Sequence, residues 1–279
     1  MSSQTASQTH RGPLTAVRIL HPFPSFLVAG LTAVLTALAA GEDRWVLAAW
    51  LGITMLCYQF AIGITNDISD AELDREQKPW KPLAAGAVQR RTASILASAF
   101  VFAGLVISMP LPLLAWLVGI LGLACGLIYN AALKRTMLSW LPYAVAIPLI
   151  PVWTYTAADA WDPMLWWVVP LGILLGLSLH FANQLPDIAA ESESVRGAAH
   201  RVGPRQATRI AFGTFGLAAS LAVFVVLPSS PEHAFVMAAA GFATAIAALR
   251  APRVLGRDGL FVAFAAGSAL IALVFMAAV

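Results

Sequence analysis

Charge is what this chain has least of. Asp, Glu, Lys and Arg make up 11% of its 279 residues, against roughly 25% in ordinary soluble domains. That scarcity excludes a conventional solvated surface. Cysteine is nearly absent too, with Cys57 and Cys125 both inside apolar runs. They form no CxxC pair and no zinc-type spacing, so a disulfide framework and a structural zinc are excluded. Both are expected to act as small packing residues. No basic stripe with interleaved aromatics occurs, which removes nucleic acid from the expected partners. Residues 1–13 are rich in Ser, Gln and Thr and are expected to form a disordered tail. They lack the basic start, short apolar core and cleavage site of a signal peptide.

What is present is apolar. Hydrophobic residues make up 59% of the chain and the mean hydropathy is +0.79. A spanning helix needs about 20 mostly apolar residues. Segments of that kind fall near 17–40, 45–66, 90–109, 112–132, 139–158, 163–185, 205–227, 233–249 and 259–279. The first is interrupted at His21-Pro22-Phe23-Pro24, which predicts an oblique entry. Pro142, Pro148, Pro151 and Pro170 lie inside spans, where neighbouring helices re-satisfy the backbone. The expected fold is all-α: a polytopic membrane bundle of nine transmembrane helices, with residues 14–279 as a single domain.

The loop charges fit that count. One side carries the N-terminus and the loops near 67–89, 133–138, 186–204 and 250–258, and with them every Lys and Arg except Arg44. Positive loops mark the cytoplasmic side. The N-terminus is therefore expected in the cytoplasm of a multi-pass integral membrane protein, the plasma membrane in a prokaryote. Trp45, Trp116, Trp161, Trp166 and Trp167 fall near span ends on the other side and read as interfacial anchors.

Two polar clusters interrupt the apolar chain: Asn66-Asp67-Ile68-Ser69-Asp70-Ala71-Glu72-Leu73-Asp74 and Asn183-Gln184-Leu185-Pro186-Asp187-Ile188-Ala189-Ala190-Glu191. Asn66/Asp70/Asp74 and Asn183/Asp187/Glu191 repeat at i, i+4 and i+8, which on a helix predicts a shared face. Four spans separate the clusters, so both should lie on the cytoplasmic side. An isolated carboxylate at a helix end is ordinarily interfacial. Two matched clusters on one side of so apolar a bundle call for a strong partner. Mg²⁺ takes oxygen ligands and is held by one or two carboxylates together with substrate phosphates. Arg75, Lys78, Lys81, Lys134 and Arg196 are candidates to bind the same phosphates, although positive loops also require such residues for topology. A charged head at the interface and a tail in the bundle describe a polyprenyl diphosphate.

Asn66-Asp67-x-x-Asp70-x-x-x-Asp74-Arg75-x-x-Lys78-Pro79-x-Lys81-Pro82-Leu83-x-x-Gly86 resembles the first signature of the UbiA-type intramembrane prenyltransferase superfamily. Tyr129-Asn130-x-x-Leu133-Lys134-Arg135 resembles its tyrosine-to-lysine segment after the fourth helix. Asp187-x-x-x-Glu191 with Arg196-Gly197 and Arg201-Val202-Gly203 resembles the second acidic motif and the stretch after it. The resemblance implies a nine-helix bundle and Mg²⁺-dependent transfer of a prenyl group from a polyprenyl diphosphate to a hydrophobic acceptor. It implies metal-site roles for Asn66, Asp67, Asp70, Asp74, Asp187 and Glu191, and diphosphate contacts for Arg75, Lys78, Lys134 and Arg196, with Tyr129 and Asn183 beside them. Many members carry aspartate where Glu191 stands, and Gln184 occupies the place that echoes Asp67.

Stabilising the leaving diphosphate is the expected main catalytic effect, with Asp67 as a candidate base for the last proton. His180 precedes the second cluster and reads first as a packed, hydrogen-bonded helix residue. A terpene cyclase or a phosphoribosyl transferase on the same scaffold remains open, as do a transporter and a non-catalytic scaffold. The acceptor, whether aromatic, quinone precursor or lipid, is not legible from residues, nor is the prenyl chain length.

Overall fold

The computed structural model describes residues 13–41, 44–188, 197–256 and 258–278. The chain enters through α1 (Pro13–Val17) and a 3-10 turn (Arg18–Leu20), then breaks at His21. The His21 backbone is left-handed, with φ 47° and ψ 59°. Pro22, with φ already set for a helix, opens α2 (Pro22–Ala40). The interruption expected at His21-Pro22 is thus a real change of direction.

Helix α3 (Trp45–Gln77) is 33 residues long. At 1.5 Å per residue that is roughly 50 Å, well beyond the ~30 Å of a hydrocarbon core. The first acidic cluster therefore rides on helix, as its spacing supposed, and the span expected to end at residue 66 runs on to Gln77. No Gly or Pro falls between Gly63 and Pro79, and Pro79 disfavours helix at the residue before it; Lys78 is the C-cap. The remaining long helices are α4 (Arg90–Ser108), α5 (Leu113–Ile128), α6 (Leu141–Ala158), α7 (Val168–Ile188), α9 (Pro204–Val226), α10 (Pro231–Leu255) and α11 (Gly259–Ala278), with a short α8 (Ala198–Val202) before α9. A π-helical turn, Tyr129–Leu133, extends α5. A 3-10 turn, Pro163–Trp167, precedes α7. Among the described residues, nine helices are long and apolar enough to cross a membrane.

Two cores hold the bundle. One draws on α2 to α6 around Leu51, Tyr58, Leu123 and Trp153. The other draws mainly on α6, α7, α9, α10 and α11 around Leu171, Phe215, Phe264 and Phe275. Between them lies a cavity walled by α2, α3, α5, α6, α7 and α11. No residue of α4, α9 or α10 lines it; these three helices back the wall. Trp45, Trp161, Trp166 and Trp167 are exposed and Trp116 is half-buried, as are Cys57 and Cys125.

Small residues set the closest helix contacts. A Cβ at Gly172 would stand 2.6 Å from the Pro148 Cα, and one at Gly176 would stand 2.5 Å from the Tyr143 carbonyl oxygen. Helices α6 and α7 can approach this closely only because both positions are glycine. Gly172→Ala should therefore lower the thermal midpoint of the detergent-solubilised protein, at an overpacking cost of about 1–3 kcal/mol. Gly213→Ala, where a Cβ meets nothing within 4 Å, should leave the midpoint unchanged or raise it. Equal behaviour of the two variants would contradict this packing.

Candidate active site

Helical periodicity divides the first cluster in two. At about 100° per residue, Asp74 lies roughly 80° away from Asn66 but only about 20° from Asp67. Asp74 accordingly pairs with Asp67 and departs from the expected i, i+4, i+8 face. Lys81 joins them, with Nζ 2.7 Å from Asp74 Oδ2 and 3.0 Å from Asp67 Oδ1. The loop after α3 folds back to bring it there; Ala85 N–H donates to Lys81 O at 2.8 Å. Burial would push the Lys81 ammonium down, but the carboxylates of Asp67 and Asp74 outweigh it and hold the group protonated above its usual range. His21 Nε2 lies 3.1 Å from the same Asp67 Oδ1. Asp67 Oδ2 is buried and has no hydrogen-bond partner.

Asn66 and Asp70 form the other half. Lys134 Nζ donates to Asn66 Oδ1 at 2.7 Å and pairs closely with Asp70 Oδ2. Arg135 lies 3.6 Å from Asp70 Oδ1. The π-helical turn carries Tyr129 and Asn130 and delivers Lys134 at its end; such turns gather at functional sites. Asn130 Nδ2 ties this turn to α3, donating to Ile62 O at 2.8 Å and to Thr65 Oγ1 at 2.9 Å.

The second cluster faces the first across the bundle. Lys78 Nζ donates to Asp187 Oδ1 at 2.6 Å, so a residue of the first motif pairs directly with the second. Gln184 Nε2 donates to Tyr129 Oη at 2.9 Å, and Asn183 Nδ2 to Tyr143 Oη at 3.2 Å. His180 is fully buried, 3.2 Å from Ser139 Oγ and edge-on to Tyr129 and Tyr143. It is a packed histidine that braces the two tyrosines. Glu191 and Arg196 lie outside the described residues.

These groups ring one end of a cavity of about 510 Å³, within the ~300–1,000 Å³ usual for small-molecule sites. Asn66, Asp70, Lys78, Lys134, Asn183 and Asp187 line its polar end. The lining then turns apolar along α7 as far as Leu171 and Val168, and is met by Leu35, Trp153 and Phe275. Asp67 and Asp74 stand behind the wall. Arg75 is exposed and paired with Glu72 at 2.6 Å, away from the cavity lining.

Among the described residues, no three His, Cys, Asp or Glu side chains converge on a ready-made metal position. The oxygens that would bind a cation are instead shared among three lysines. The donor chemistry still fits a hard divalent ion: carboxylate and amide oxygens, with one orphaned carboxylate oxygen on Asp67. His21, Tyr143 and Gln184 were absent from the expected site set. The His21-Pro22 break spoke only of chain direction, and Gln184 was noted only as the residue in the place that echoes Asp67.

A family model described as the UbiA prenyltransferase family matches residues 26–260. Three archaeal proteins named digeranylgeranylglyceryl phosphate synthase are similar. The one from Methanoregula boonei is 28% identical over 204 residues, 70% of this chain and 71% of that protein. The one from Methanoculleus marisnigri is 28% identical over 120 residues, 43% of each chain. The one from Metallosphaera sedula is 38% identical over 71 residues, 25% of each chain. The chain thus spans less than half the length of two of these relatives. Among solved structures, a UbiA homolog from Archaeoglobus fulgidus bound to GPP and Mg²⁺ superposes with a TM-score of 0.74 at 18% identity, covering 95% of this chain and 100% of that one. The apo structure of a UbiA homolog from Aeropyrum pernix K1 gives 0.69 at 20% identity, covering 89% and 95%. At such identities these likenesses establish the shared fold.

Lys81 should prove structural as well as electrostatic. Lys81→Met leaves the buried carboxylates of Asp67 and Asp74 facing each other without their shared cation, a loss of about 3–5 kcal/mol. The expected result is a lowered thermal midpoint, partly restored when Asp74→Asn is added. An unchanged midpoint in the single variant would refute the pairing.

Proposed function

The chain belongs to the UbiA prenyltransferase family, and on that footing we propose that it transfers a prenyl group from a polyprenyl diphosphate to a hydrophobic acceptor within the membrane, with Mg²⁺ as cofactor. The cavity carries this reading. A polar end set with carboxylates and lysines continues into an apolar barrel between helices, a shape that suits a substrate with an anionic head and a hydrocarbon tail. The Archaeoglobus fulgidus homologs bound to GPP or DMAPP and Mg²⁺ support the same donor chemistry.

Each set of residues has a distinct task. Asn66, Asp67, Asp70, Asp74 and Asp187 would hold Mg²⁺, with Glu191 from the second motif. When bound, Mg²⁺ neutralises the diphosphate and makes it a better leaving group. Lys78 and Lys134 line the cavity, each on a carboxylate. Their ammonium groups can turn from carboxylate to phosphate oxygens as the head group arrives. Tyr129 and Asn183 close the polar end through Gln184 and Tyr143. The apolar barrel holds the tail and keeps water from the allylic carbon once its bond to oxygen weakens. Preorganised positive charge at the departing diphosphate is the dominant contribution.

The loop charges support a cytoplasmic polar end. Among acceptors, a lipid fits the names of the archaeal relatives. A terpene cyclase or a phosphoribosyl transfer to polyprenyl phosphate would use the same cavity, and product analysis with and without acceptor separates them. Purified protein given prenyl diphosphates of several lengths, a pool of acceptors and Mg²⁺ should release diphosphate and form prenylated product. A chelator should abolish both. Asp70→Ala should lower the rate by about 10²-fold or more, the scale of losing one key electrostatic group. Turnover that persists in Asp70→Ala would sink the assignment.

A further inference from the structure

Met55, Gln59, Ile62, Asn66 and Asp70 line the cavity from α3. Steps of three and four residues keep them on one helix face. Asn66 and Asp70 belong to the polar end. Gln59 does not: it precedes Asn66 by two helical turns, roughly 10 Å further into the apolar barrel. Its amide is poorly satisfied there. Nε2 donates to Met55 Sδ at 3.5 Å, and a thioether sulfur is a weak acceptor. Oε1 has no hydrogen-bond partner among the described residues. It is also not sealed in, as Trp153 Nε1 and Ser268 Oγ elsewhere on the lining are. The neighbouring hydroxyl, Tyr58 Oη, is taken by Ser108 Oγ at 3.0 Å.

A carboxamide at this depth has nothing to bond on a prenyl diphosphate. The diphosphate oxygens belong with the lysines of the polar end, and the hydrocarbon tail carries neither donor nor acceptor. Leaving an amide unpaired in an apolar setting is costly, so its partner is a second molecule with a polar atom of its own. The charge of that partner follows from the wall. The acidic and basic side chains of the lining are the aspartates and lysines of the polar end, His21, and Asp258 at the start of α11. Tyr155 Oη donates to Met276 O at 3.4 Å, which sets the C-terminal ends of α6 and α11 together and leaves Asp258 at the opposite, polar end. His21 turns its Nε2 to Asp67. No lysine or arginine lines the barrel beside Gln59, and a carboxylate or phosphate there would be an uncompensated charge. We infer that Gln59 binds the acceptor and selects an uncharged hydroxyl or carbonyl group, held beside the prenyl carbon that loses diphosphate. The inference rests on the prenyl transfer proposed above. The plainer view makes Gln59 a helix residue tied only to Met55.

The experiment gives the full-length detergent-solubilised protein geranyl diphosphate, Mg²⁺ and one of three probe acceptors: a monoalkyl glycerol, para-hydroxybenzyl alcohol or para-hydroxybenzoate. Prenylated product and released diphosphate are both measured, alongside the thermal midpoint. The unmodified protein is expected to prenylate a neutral probe, and to use the benzoate at least about 10-fold less well than its neutral match, the benzyl alcohol. Gln59→Leu is expected to raise the KM for the neutral probe about 10-fold, the scale of one lost hydrogen bond. The donor KM should stay where it was, and the midpoint should hold or rise, because an ill-satisfied amide leaves an apolar wall. Equal use of benzoate and benzyl alcohol would overturn the inference, as would an unchanged acceptor KM in Gln59→Leu. Donor and acceptor KM rising together in that variant would reduce Gln59 to a packing residue and overturn it as well. Diphosphate release without product from either neutral probe would overturn it while leaving the donor chemistry standing. No diphosphate release with any probe would overturn the transferase reading itself, and this inference with it.

Discussion

A carboxylate at the end of an apolar bundle must find a cation, and that requirement organises this molecule. Each described aspartate of the two clusters meets an ammonium: Asp67 and Asp74 share Lys81, Asp70 takes Lys134, and Asp187 takes Lys78. Unpaired, such buried charges would be strongly destabilising. Paired, they become stitches. Lys134 joins the end of α5 to α3, Lys78 joins α3 to α7, and Lys81 folds the following loop onto its own helix. The polar end of the cavity is defined by these three lysines as much as by the acids.

On the function proposed above, the same pairs would let a rigid bundle take up a polyanionic head group. A lysine on a carboxylate is already desolvated and aimed at the site, so moving it to a phosphate oxygen requires a side-chain rotation and no helix displacement. Tyrosines and amides perform the quieter task of spacing: Tyr129 and Tyr143 accept from Gln184 and Asn183, and His180 packs behind both rings.

Much of this was legible in the sequence because the bilayer leaves few choices. Apolar length alone located nine helices, and the His21-Pro22 break stood where a helix cannot continue smoothly. The acidic clusters were visible because charge is otherwise so scarce. What escaped was anything set by rotation or by tertiary reach. Spacing at i, i+4 and i+8 suggested one face for Asn66, Asp70 and Asp74, yet the helix turns far enough over eight residues to give Asp74 to Asp67. Proline at 79 could not announce that α3 would stay helical through its acidic stretch. The π-helical turn at Tyr129–Leu133 adds a rotation that no residue type encodes. Lys81 was one basic loop residue among several until a folded-back loop placed it between two carboxylates.

The cavity wall has a consequence for how the protein is made. Asp70 on α3 and Phe275 on α11 face the same space, yet α11 is synthesised about 200 residues later. At ~5–20 residues per second that is a delay on the order of 10–40 s, during which the acidic cluster has left the ribosome and its last wall has not. Lys78 and Lys81 emerge within a few residues of the acids, so Asp67 and Asp74 can be neutralised at once by their own neighbours, whereas Asp70 must wait for Lys134. The local lysines therefore bear on biogenesis as well as on the finished fold. They let an insertion machinery release a charged helix end at the interface long before the compartment that will use it has closed.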